Sequence, residues 1–154
     1  MRSYLRIFRT GKLALDELYA FMEKLHEYGK IHFLVSDGIM LDLTWIFPDD
    51  LGIDVRMQRI LTSYQLQRIL LESDNSPHFI AVVSDVIASW EMESVESIYE
   101  IMKIKAYYHR CPISMNIVGK EGVYENYLGK RVIEKGRGKN LDRGLYQWEE
   151  QHQQ

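Results

Sequence analysis

Cysteine is almost absent: Cys111 is the single one in 154 residues. An internal disulfide is therefore excluded, and so is a zinc site built from several cysteines. A reducing, intracellular and cytoplasmic compartment is the expectation that follows. Long apolar runs are also missing, and no stretch approaches the length that crosses a bilayer as a helix, so no membrane partner is expected. The opening residues MRSYLRIFRTGKLALDELY carry arginines where a secretory leader needs an unbroken apolar core. Charge of one sign is not in excess either. A net charge of -3 gives no global attraction to nucleic acid, so such a partner has to be met by a local patch. His26, His78, His109 and His152 lack the spacing of a metal motif such as H-E-x-x-H. Ser36 and Ser84 lack the flanking glycines of a nucleophile elbow.

What remains is an ordinary globular composition, 46% hydrophobic and 27% charged, in a length that suits one domain. Residues 1–150 read as that domain, with 151–154 as a frayed tail. In LALDELYAFMEKLHEY, residues 13–28, Leu15, Leu18, Phe21, Met22 and Leu25 recur at spacings of three and four, which predicts a helix stopped by Gly29. KIHFLVSDG, residues 30–38, predicts a strand closed by a turn, with His32 as a core histidine. LDLTWIFPDDLGID is a short helix or irregular segment broken by Pro48, and VRMQRIL, residues 55–61, a further brief strand.

TSYQLQRILLES predicts a helix capped by Thr62 or Ser63, its apolar face formed by Leu66, Ile69 and Leu70. PHFIAVVSDVIASW contains a near-continuous apolar run, the mark of a strand buried on both faces. ESVESIYEIMKIKAYYHR predicts a long helix with Val95, Ile98, Ile101, Met102 and Ala106 inward and with Glu100 and Lys103 solvated. CPISMNIVG, residues 111–119, predicts a strand, and the tail one or two more around a Gly-rich turn between Lys135 and Lys139. Alternating helices and strands imply an α/β layer fold with a mainly parallel sheet and helices on both faces.

In order and pattern, residues 11–119 resemble the RecA/RadA-type recombinase core and its shorter paralogues. The resemblance is carried by KIHFLVSDG, by RILTSYQLQRILLES with its Gln-Leu pair, and by FIAVVSDVIASW, which looks like the family's Walker B strand. EIMKIKAYYHRCPISMNIVG is similar to the helix and strand that bear the family's polar sensor position, here Asn116. The resemblance implies a three-layer, RecA-like (P-loop NTPase-like) fold and a role in DNA recombination or repair. The phosphate-binding loop is where the chain departs from it. That loop, G-x-x-x-x-G-K-[ST], wraps phosphates with backbone N–H groups and holds magnesium with its hydroxyl. Gly11 and Lys12 match, but Arg6 stands at the first glycine and Leu13 at the hydroxyl. A lone Gly-Lys before a helix is common by chance, and an ordinary turn is the other reading of Gly11-Lys12.

Asp85 would be the acid that orients magnesium in the family's chemistry; alternatively Ser84 and Asp85 cap the turn into the next helix. Asp37 and Asp85 are the acidic pair expected to converge, since ligands of open α/β sheets bind beyond the carboxyl ends of the strands. The resemblance implies that Gly11, Lys12, Asp85 and Asn116 form a vestigial nucleotide site, with no bound cofactor expected and ATP hydrolysis not expected. Lys130, Arg131, Lys135, Arg137, Lys139 and Arg143 concentrate positive charge around Gly136 and Gly138 and can follow a phosphate backbone. Tyr124, Tyr127, Tyr146 and Trp148 flank them, as stacking platforms for bases or as an interface. The expected function is that of a non-catalytic accessory protein binding DNA, a RecA/RadA-like partner or another copy of itself. The alternatives are a divergent ATPase using Asp85 and Lys12, or a self-associating scaffold.

Overall fold

The computed structural model describes residues 5–41, 52–120 and 132–134. Strands β1 (Leu5–Thr10), β2 (Lys30–Ser36), β3 (Asp54–Ile60), β4 (His78–Val83), β5 (Ile113–Val118) and β6 (Val132–Glu134) form a sheet in the order β3-β2-β4-β5-β1-β6. Every ladder is parallel. The helices are α1 (Leu15–Lys24), α2 (Ser63–Glu72), α3 (Ser84–Ala88) and α4 (Met92–Tyr107), with a 3₁₀ turn at His26–Tyr28. The chain is therefore α/β with an all-parallel sheet. Among the described residues no helix is long and apolar enough to cross a membrane.

Local chemistry explains most of these boundaries. The helix expected to run to Gly29 stops earlier, at Lys24; Gly29 sits at φ 74°, where glycine meets no Cβ penalty, and ends the 3₁₀ turn that follows. The Thr62 hydroxyl caps α2 by accepting from the Gln65 N–H at 3.1 Å. The Gln65 side chain in turn accepts from the Leu61 N–H at 2.7 Å.

Successive side chains of a strand point to opposite faces, and the core divides accordingly. Ile7, Leu34, Ile80, Val82, Met115 and Ile117 pack with Leu66 and Leu70 of α2, Ile87 of α3, and Ile98 and Met102 of α4. Phe8, Phe33, Phe79 and Ala81 pack with Leu18, Phe21 and Met22 of α1. Phe79 is the hub of this second cluster, meeting Phe8, Phe21 and Phe33 edge-on at 6.3, 5.5 and 5.9 Å between centroids. Edge-to-face contacts of this kind add to plain area burial.

Two expectations need correction. Arg6 to Thr10, matched above to the start of the phosphate-binding loop, are strand: β1 is an interior strand between β5 and β6, and Arg6 lies within it. Arg6 is tolerated because its guanidinium pairs with Glu17 of α1 at 2.8 Å and lies 5.0 Å from the centre of the Phe8 ring. Ser84 and Asp85 do not cap α3 either. They are its first two residues, and Val83 holds the N-cap position without a side-chain hydrogen bond. Of the inward face expected on α4, Val95, Ile98, Met102 and Ala106 are buried and Ile101 is half-buried. Glu100 and Lys103 are a surface ion pair at 3.6 Å. The segment around Pro48 and the turn between Lys135 and Lys139 lie outside the described residues.

Candidate functional site

The carboxyl ends of the strands are where a parallel sheet presents its loops, and the site expected from the sequence falls there. Strand β1 ends at Thr10 and α1 begins at Leu15, so the connection is residues 11–14, four in all. Gly11 and Lys12 are exposed on it. Gly11 is not among the glycines with positive φ, so its special backbone freedom is not used. Asn116, fully buried on β5, crosses to this connection. Its Oδ1 accepts from the Ala14 N–H at 2.9 Å and its Nδ2 donates to Thr10 Oγ1 at 2.9 Å. The Thr10 hydroxyl donates to the Lys12 carbonyl, and the Gly119 N–H donates to the Thr10 carbonyl at 2.8 Å. The amide at the start of α1, a natural anion donor, is thus already engaged by a protein side chain.

The neighbouring strand ends are closed in the same way. The buried Ser36 hydroxyl accepts from the Val83 N–H at 3.0 Å and donates to the Asp37 carbonyl at 2.9 Å. Arg59 of β3 donates to the carbonyls of Ser36 and Ile39, at 2.9 and 3.0 Å. Gly119 has φ 123°, and a Cβ there would stand 2.5 Å from Ser84 Oγ. Asp37 and Asp85 are both exposed at these ends. Among the described residues no group of three or more His, Cys, Asp or Glu side chains is arranged to hold a metal ion. The basic residues Lys130, Arg131, Lys135, Arg137, Lys139 and Arg143 lie outside the described residues.

A second polar cluster, at the amino ends of the strands, was not anticipated. Lys105, in the last turn of α4, is buried and donates to three oxygens: the Leu70 carbonyl (2.7 Å), the Ser73 carbonyl (3.0 Å) and Ser73 Oγ (2.8 Å). Ser73 Oγ is also 2.9 Å from Nε2 of His78, the fully buried first residue of β4. Cys111 Sγ lies 3.8 Å from the other ring nitrogen and donates to the Ser76 carbonyl at 3.3 Å. Burial, aided by the charges of Lys105 and His32, pushes the His78 imidazole down to about 3. Burial likewise lowers the Lys105 ammonium and raises the Cys111 thiol to about 12. His32, half-buried and not deep in the core, meets the His78 ring edge-on at 4.8 Å and bonds Asp74 at 3.1 Å. Hydrogen bonds from Lys30 and Ser76 hold the Asp74 carboxyl well below the usual carboxylate range. One signal for this cluster was present in the sequence. Lys105 continues the spacing of Ile98 and Met102 on the buried stripe of α4, where a lysine needs partners.

No model of a known protein family matches the chain, and no curated protein matches it.

Proposed function

We propose that the chain is a three-layer, RecA-like scaffold that has lost the phosphate grip and acts by binding, as an accessory protein for DNA or for a recombinase-type partner. The reading is supported by the parallel sheet and by the division of its core, with α1 in one apolar cluster and α2, α3 and α4 in the other. The observation that carries it is Asn116 bonded to Ala14 and Thr10 across a connection of four residues. A triphosphate loop needs a longer run of free backbone N–H groups, and magnesium needs a hydroxyl where Leu13 stands. Binding to DNA is assigned to the basic segment from Lys130 to Arg143, with Lys135, Arg137 and Lys139 along the phosphate backbone.

Two titrations test this. ATP with magnesium should give no saturable heat, whereas single-stranded DNA should bind with an affinity that falls as salt rises. Replacing Lys135, Arg137 and Lys139 together by alanine should weaken DNA binding and reduce the salt slope by about 2. Magnesium-dependent ATP turnover that disappears with Asp85→Ala would instead favour the divergent ATPase.

A further inference from the structure

The cluster at the amino ends of the strands is distinguished by an opening. A cleft of about 300 Å³ between α2 and α4 has Leu70, Leu71, Ile101 and Ile104 among its apolar lining, and Ser73 and Lys105 among its polar lining. That volume is at the lower end of what small-molecule sites show. The hydrogen bonds assign roles to the polar atoms. Lys105 has three N–H donors and directs all of them at oxygens, one of them Ser73 Oγ. Ser73 Oγ therefore accepts from Lys105, and in the tautomer with the imidazole proton on Nδ1 its own proton goes to His78 Nε2 at 2.9 Å. A hydroxyl that donates to a neutral imidazole and accepts from an ammonium is the arrangement of an activated nucleophile.

We propose that Ser73 is a nucleophile toward activated acyl compounds with a short apolar acyl chain, with His78 as its base and Lys105 stabilising its developing negative charge. In the acylation step Oγ bonds to the carbonyl carbon as its proton passes to Nε2. The bond from that carbon to the leaving oxygen or sulfur then breaks, and the proton follows the leaving group. Water next attacks the seryl ester, giving its proton to Nε2 and from there to Ser73 Oγ, and a carboxylic acid departs. Because the imidazole is buried beside an ammonium, it resists carrying a proton. It is therefore a weak base, and attack by Ser73 succeeds only on carbonyls already activated by a good leaving group, which selects aryl esters and thioesters over alkyl esters and amides. The apolar cleft walls receive the acyl chain. Lys105 also ties down the last carbonyls of α2, so the same contacts serve stability, and an experiment has to separate the two roles.

The test uses the full chain with a fluorescent fluorophosphonate and with p-nitrophenyl butyrate. The expected result is a single label that tandem mass spectrometry places on Ser73, and nitrophenolate release about a hundredfold above that of Ser73→Ala. Ile104→Trp, at a half-exposed position on the cleft wall, keeps the hydrogen bonds and should lower both signals about tenfold or more. The proposal is overturned if the unmodified chain takes no label, if the label lies on another residue, or if Ser73→Ala hydrolyses the ester as fast as the parent. The label is read on the unmodified chain, so that arm of the test does not depend on how well any variant folds.

Discussion

Asn116 on β5 holds Ala14 at the start of α1 through a 2.9 Å hydrogen bond that spans 102 residues of sequence. Its amide nitrogen simultaneously holds Thr10, the last residue of β1. A single side chain thus joins the end of one strand, the start of a helix and the adjacent strand. It does so at the carboxyl end of β1, where a phosphate-binding loop would need free backbone N–H groups.

Asn116→Ala should destabilise the chain without creating a nucleotide site. It leaves the Ala14 N–H without its partner in a buried setting, at a cost of about 1–3 kcal/mol. A lower urea midpoint with an unchanged slope is the expected outcome, and ATP with magnesium should still give no heat. A gain of ATP binding would show that Asn116 alone had blocked the site.

Gly119→Ala meets two obstacles, the positive φ and the Ser84 hydroxyl 2.5 Å from the new Cβ. The backbone part should cost about 1–3 kcal/mol, and the clash adds to it. Ser84→Ala removes the hydroxyl and leaves the conformational cost, so the double variant should recover part of the loss. A double-mutant cycle read from denaturant midpoints separates the two contributions. Full recovery would mean that φ 123° carries no strain.

Stability should fall in acid. His78 takes a proton near its ordinary 6.5 when unfolded and only near about 3 when folded. Between those values the unfolded chain binds the extra proton, so stability is lost as pH drops from about 6.5 to about 3. The full limb for a group this buried is roughly 3–5 kcal/mol. Asp74 acts in the same direction below its ordinary 3.8, but it is half-exposed and solvent screens its contribution. Urea titrations from pH 7 to pH 4 should show this limb, and His78→Gln should flatten it. An unchanged limb in that variant would remove His78 as its source.

Cys111 should be inert in the folded chain. It is fully buried, and burial raises its thiol to about 12, so little thiolate forms at pH 8. Modification by Ellman's reagent should be slow in buffer and fast in urea. Its rate at pH 8 should follow the opening of the fold and not the reagent concentration. Rapid labelling of the native chain would mean that the amino ends of β4 and β5 open readily.

Much of the architecture is determined by the sequence acting locally. The apolar run from His78 to Val83 has to be a buried strand, Gly29 ends a 3₁₀ turn, and Thr62 starts a helix; each effect operates within a few residues. The sequence alone also settled that a phosphate loop has neither its first glycine nor its hydroxyl, since Arg6 and Leu13 occupy those positions. Only the tertiary structure decided that Arg6 belongs to an interior strand, because Glu17 and the Phe8 ring that receive it must first be brought alongside. The roles of Asn116, Lys105, Ser73 and His78 were decided there too. A buried polar group is tolerable only with partners, and those that hold Asn116 and Lys105 in place lie on other elements, the farthest 106 positions away. Local preference acts along the chain, whereas the satisfaction of buried hydrogen bonds depends on what folding places across from them.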